Sequence, residues 1–142
     1  MKSFRHGWIF AVAIGIATAS SSRGDEEIDI VPAQKAAQEW LATVDAGKYG
    51  QSWDDASEFF RTFVTRETWE TSVGAARGLV GTVIARKLRS ATYMHDLPSA
   101  PPGEYVVIQY DTRFDNKPIG VETVTPMREK DGTWKISGYL IR

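Results

Sequence analysis

Two carboxylates and a set of arginines are the side chains whose spacing could do chemistry in this chain. Asp111 and Glu122 stand on two strand-like runs separated by the turn-rich Asp115-Asn116-Lys117-Pro118. With Asn116-Lys117 as the central pair of that turn, Asp111 faces Glu122 across the strands. If Asp96 pairs with Glu104 in the strand before, Arg89 joins the same row, with Lys87 and Arg113 diagonal to it. Opposed carboxylates repel, so either arginine neutralises them or one has a raised pKa and could act as an acid or base. The plainer reading, and the favoured one, is a surface charge ladder contributing under about 1 kcal/mol per pair.

Other chemistries find little footing. The 142 residues contain no cysteine, which removes thiol nucleophiles, thiolate metal sites and a lipidated cysteine. One histidine, His95, lies beyond the N-terminal segment, at an expected strand end where a surface or turn role is usual. Gly74, Gly78 and Gly81 lack the preceding strand and following Lys-Ser/Thr of a phosphate loop, and no nucleophile elbow or zinc-protease spacing occurs. No metal and no cofactor is expected.

The elements that must position Asp111 and Glu122 are the strands of the last third of the chain, residues 103–142. Asp131-Gly132 between two strand-like runs predicts a two-residue type I′ hairpin, with Lys130 opposite Thr133 and Val124 opposite Tyr139. Under this register one face gathers Val106, Ile108, Tyr110, Phe114, Val121, Met127, Trp134, Ile136 and Leu140, and is read as the core side. Its polar members, Tyr110 and Thr123 among them, are candidates for touching a ligand held between sheet and helices, with Arg89 and Arg113 as candidates on the other face. That other face carries Tyr105, Val107, Val124, Tyr139 and Ile141 among its charges, too apolar for plain solvation. A weak homodimer, sheet against sheet, is the expectation for it.

Helices precede the strands. Pro32 suits a first turn, and Ala33, Ala36, Ala37, Trp40, Leu41 and Val44 make one amphipathic stripe stopped by Gly47. A second helical segment is read over residues 48–63, with Ser57 a point where it could break. A third runs from a Thr65 cap to Arg77-Gly78, with Trp69, Val73 and Ala76 inward. Trp40, Trp53, Phe60, Trp69 and Trp134 are read as core rather than as a ligand box. Helices first and an antiparallel meander last predict an α+β domain over residues 33–142, three helices on one face of a curved four-stranded sheet.

Ahead of it, Lys2 and Arg5, an apolar run over residues 8–17 and Ala17-Thr18-Ala19 have the form of a secretory signal cleaved near Ala19, followed by an acidic linker over residues 20–32. The expected location is the periplasm or the exterior, with no membrane span after processing. Removing the leader takes the formal charge from −1 to about −3, too small and mixed to argue for nucleic acid or an anionic membrane.

The run Tyr49, Ser52-Trp53, Ala56-Ser57, Phe60, Trp69, Arg77, Gly81, Arg86, then Glu122-Thr123, Asp131-Gly132-Thr133-Trp134 and Gly138-Tyr139 resembles an exported bacterial family catalogued as domain of unknown function 4019. The order of elements is similar to NTF2-like and cystatin-like folds. The family resemblance brings no activity with it. Enzymes of NTF2-like folds use carboxylates or histidines lining the cavity between helices and sheet, where no ionisable base is expected here. The reading is a non-enzymatic exported module binding a small apolar ligand or an envelope protein. The alternative is an acid/base enzyme using Asp111 and Glu122.

Overall fold

The computed structural model describes residues 28–142, so the expected leader and most of the expected linker lie outside the described residues. The chain builds α1 (Val31–Asp45), α2 (Tyr49–Asp54), α3 (Glu58–Phe63) and α4 (Arg66–Val80), then β1 (Val83–His95), β2 (Glu104–Phe114), β3 (Lys117–Arg128) and β4 (Trp134–Ile141). The strands form one antiparallel sheet in the order β1-β2-β3-β4. The α+β arrangement is therefore as expected, with four helices in place of three.

The extra helix has a local cause. The segment read as one helix is split at Ser57, whose extended backbone lets its hydroxyl accept a hydrogen bond from the Phe60 amide and cap α3. Ser57 also donates its own amide to the Ile136 carbonyl, which pins the break onto β4. Thr65 caps α4 as expected, but the helix runs past Gly78 and ends at Gly81, where φ is +81°. Leu79 and Val80 complete it, and β1 starts two residues beyond Gly81.

Helix α1 lies over β2, β3 and β4, and its buried stripe is Ala33, Ala37, Trp40, Leu41 and Val44. Trp40, Phe60, Trp69 and Tyr139 form the aromatic centre of the core, with Trp40 and Tyr139 ring centroids 5.3 Å apart and Phe60 edge-on to Trp69 at 4.9 Å. The indole of Trp40 donates to the Ser52 carbonyl and that of Trp69 to the Ser52 hydroxyl, so buried Ser52 satisfies both. Trp53 and Trp134 are only partly buried at its margin. Among the described residues no helix is long and apolar enough to cross a membrane.

The register differs from the expected one, and the differences decide the site. Between β2 and β3 the turn centres on Asp115-Asn116, which dock by their amides on the carbonyls of Thr82 and Val80. Tyr110 consequently pairs with Glu122 and Asp111 with Val121, one residue away from the predicted pairing. Such a slip turns every β3 side chain to the opposite face. The β3–β4 pairing is as predicted from Glu122–Ile141 to Thr125–Gly138, then shifts at Pro126, so that Met127 pairs with Lys135 rather than Ile136. The hairpin loop has three residues, closed by the Glu129 amide on the Thr133 carbonyl, and only Gly132 has positive φ. A type I′ turn needs positive φ at both central residues. Asp131 avoids it because its carboxylate accepts from the Thr133 amide and hydroxyl.

Between β1 and β2, His95 rather than Asp96 pairs with Glu104, and irregularities at Ile84 and Arg89 shift the register further, leaving Lys87 opposite Asp111.

The face assignments change accordingly. Val124 and Tyr139 join the core beneath the helices, with Ile141 packed against it. Tyr105 and Val107 do lie on the outer face, where they and Met127 are covered by Leu97 and Ala100 of the loop over residues 96–103. That loop is held by the Tyr105 hydroxyl on the Pro101 carbonyl and by Asp96 on the Gly103 amide. The five residues expected to make a common outer patch for a homodimer are thus divided between two faces. Val121 and Leu140, expected in the core, leave it with the same slip and are partly exposed.

Candidate functional site

Glu122 is the residue around which the polar interior is built. It projects from the middle of β3 toward the helices and is fully buried. A buried carboxylate is costly unless paired and hydrogen-bonded, and each of the other three strands supplies a partner. Arg86 of β1 donates Nε to its Oε1 at 2.7 Å, and Thr112 of β2 donates its hydroxyl to the same oxygen at 2.6 Å. Tyr139 of β4 donates its phenol to Oε2 in a short hydrogen bond.

The network continues outward through Arg86. Its two terminal nitrogens clasp Asp45, the last residue of α1, at 2.8 and 3.0 Å. Arg77, an inner-face residue of α4, donates Nη2 to the same carboxylate at 2.8 Å and lies over the Phe114 ring. Two carboxylates and two guanidiniums therefore balance across four elements, six with Thr112 and Tyr139, and the set reaches solvent on the Asp45 and Arg86 side, where their side chains are 29% and 17% exposed.

Burial raises the Asp45 pKa, but the hydrogen bonds from Arg86 and Arg77 outweigh it and hold the carboxyl below its ordinary value. Burial likewise depresses Arg86 and Arg77, and their carboxylate partners turn the balance so that both stay above the usual arginine value. Tyr139 is pushed well up, first by burial and then by the charge and acceptor role of Glu122. Tyr110, paired with Glu122 in the register, is buried with no hydrogen-bond partner on its hydroxyl among the described residues, and burial raises it too.

A carboxylate that already accepts from a guanidinium and two hydroxyls is committed to holding strands and helices together. Asp111 is not near it. That residue faces outward, more than half exposed, with Arg89 at 3.9 Å in an equally exposed pair. The two expected acid/base partners thus lie on opposite faces of the sheet, because of the one-residue difference in the β2–β3 turn. Arg113 is exposed on the outer face, and Thr123 accepts a long 3.4 Å hydrogen bond from Gln109. Of the residues expected to touch a ligand, Tyr110 alone joins Glu122.

Arg86, Asp45, Arg77, Thr112 and Tyr139 were not expected at the site. A signal for Arg77 was present: it stands four residues after Val73 and eight after Trp69, a charge on the apolar stripe of α4. Among the described residues no group of histidine and acidic side chains has a metal-binding arrangement.

A groove of about 280 Å³ opens at the seam between helices and sheet. Helix α1 contributes Ala36, Glu39, Trp40 and Thr43, the end of α2 Asp54 and Asp55, and the start of β4 Trp134, Lys135 and Ile136. Five of these nine residues are polar or charged, and Trp40 and Ile136 are almost wholly buried. None of the residues around Glu122 lines it.

No curated protein matches the chain. Residues 36–139 match the family described as a protein of unknown function, DUF4019, a span that takes in most of α1, the other three helices and nearly all of the sheet. The chain belongs to that family of proteins of unknown function.

Proposed function

We propose that this domain is a non-enzymatic binding module of the cell envelope, and that the groove between α1, α2 and β4 takes its ligand. The groove carries the reading. It offers a concave surface in which the partly buried Trp134 can take a ring or chain and Glu39, Thr43, Asp54, Asp55 and Lys135 can orient a polar ligand. The full engagement of Glu122 supports binding over acid/base catalysis, since a base must be free to take its proton. Export rests on the basic, then apolar, then small-residue order of the first 19 residues.

The ligand on this reading is small, with an apolar ring or chain against Trp134 and a polar end toward Asp55 or Lys135. Protein recovered from an envelope fraction of its host should begin near Ser20 and release a co-purifying compound on denaturation, detected by mass spectrometry. Thr43→Trp, which fills the groove from an α1 position, should lose that compound while keeping its melting temperature. Equal recovery of the compound with Thr43→Trp would place binding elsewhere, and a full-length cytoplasmic product would remove the envelope.

A further inference from the structure

The outer face of the sheet has two ends of different character. One is covered by the loop over residues 96–103. At the other, Ala85 pairs with Arg113, Lys87 with Asp111, and Asp111 with Val121. Side chains alternate along each strand, so with Arg86, Thr112, Gly120 and Glu122 on the helix side, Lys87, Arg113 and Val121 point outward. Ile119, next to Gly120, protrudes at this same end and is 87% exposed. Arg89 bulges from β1 beside Asp111.

Charge is segregated on the scale of the fold, although the whole chain sums only to −1. Residues 28–80, the helical half, hold eight acidic side chains against five basic ones; residues 81–142, the sheet half, hold nine basic against seven acidic. At the open end of the outer face the strand residues Lys87, Arg89 and Arg113 outnumber Asp111, whose pair with Arg89 is exposed on both sides and screened by solvent.

We propose that this end of the sheet docks on an anionic phospholipid surface, with Ile119 entering the headgroup boundary and Lys87, Arg89 and Arg113 meeting phosphates. Charge complementarity and shape favour lipid over a protein partner. A stable protein interface needs an extended area of matched contacts, whereas one protruding aliphatic residue among cations suits a soft interface that closes around it. Juxtamembrane basic residues are attracted to anionic leaflets within a Debye length, and the acidic helical half would face away and orient the domain. The surface lies across the sheet from the groove, so the two readings stand independently.

The test is co-sedimentation of the protein with vesicles of phosphatidylglycerol mixed into phosphatidylcholine, against phosphatidylcholine alone, at low and at physiological salt. Partition into the anionic vesicles only, weakening steeply with salt, is expected. Ile119→Ser and Arg113→Glu should each reduce it by roughly tenfold, with unchanged circular dichroism and melting, while Glu67→Gln on α4 leaves it as it was. The variants also separate this surface from any leader still attached, which would bind regardless of residue 119. No partition at low salt, or partition indifferent to both outer-face variants, overturns the proposal. Binding to a poly-glutamate peptide but not to the vesicles also overturns it, and would assign the surface to an acidic protein.

Discussion

At the scale of single residues, Glu122 sets the terms for its neighbours. Replacing it with glutamine keeps the shape but leaves the Arg86 guanidinium without the buried charge it faces, and the amide must present a donor where Arg86, Thr112 or Tyr139 already donates. Glu122→Gln should cost about 3–5 kcal/mol, read from urea unfolding midpoints. Tyr139→Phe removes one hydrogen bond and should cost less, about 1–3 kcal/mol, whereas Tyr139→Glu sets a second carboxylate against Glu122 in the core and should not fold. Asp45 gives the network its pH dependence. Its carboxyl sits below the ordinary 3.8, so the folded state favours the ionised form. That stability is present above the unfolded value and is lost as pH falls through the folded one. Between about pH 5 and pH 2 the urea midpoint should fall less steeply in Asp45→Asn than in the parent.

At the scale of elements, the turns govern which side chains meet. Gly132 holds φ +88° in the β3–β4 loop, and a methyl there is strained whatever the space around it. Gly132→Ala should cost about 1–2 kcal/mol by thermal melting, with no change in the groove. Asp131-Gly132 marked this hairpin in the sequence, and the pairing from Glu122 to Thr125 agrees with the prediction because the shift at Pro126 offsets the one-residue difference in the loop. What the dipeptide could not carry was the choice between a two-residue and a three-residue loop, decided by the bonds from Thr133 to the Asp131 carboxylate. The β2–β3 turn offered no equally sharp signal. Four turn-forming residues in a row allow neighbouring central pairs, and the one adopted is fixed by contacts with Val80 and Thr82, far back in the chain. From that single choice came the expectation that Glu122 faces Asp111 and solvent. Ser57, by contrast, was legible as a break and proved to be a cap. The stripe of α1 was legible in full, because helical periodicity depends only on local spacing.

Across the whole molecule, the helical layer is not centred on the sheet. Helix α1 reaches β4, β3 and β2, while β1 is an edge strand whose side chains are mostly exposed and whose pairing with β2 is broken by two irregularities. Such bulges discourage edge-to-edge association, and they also remove ladder hydrogen bonds. What ties β1 to the rest is Arg86, which grips Glu122 on β3 and Asp45 at the end of α1, while Arg77 brings α4 to the same carboxylate. The clasp joins residues far apart in sequence, 41 positions for Asp45 and Arg86, so no local pattern announces it. It predicts a gradient of local stability. Amides of β2 and β3, paired on both sides, should exchange slowest, and those of β1 fastest among the strands. In Asp45→Asn the guanidinium of Arg86 loses its outer anchor, so protection should fall several-fold more in β1 than in β3 and β4, as measured by hydrogen exchange with mass spectrometry. A uniform loss over all four strands would mean that Asp45 supports the domain as a whole, and that Arg86 holds β1 through Glu122 alone.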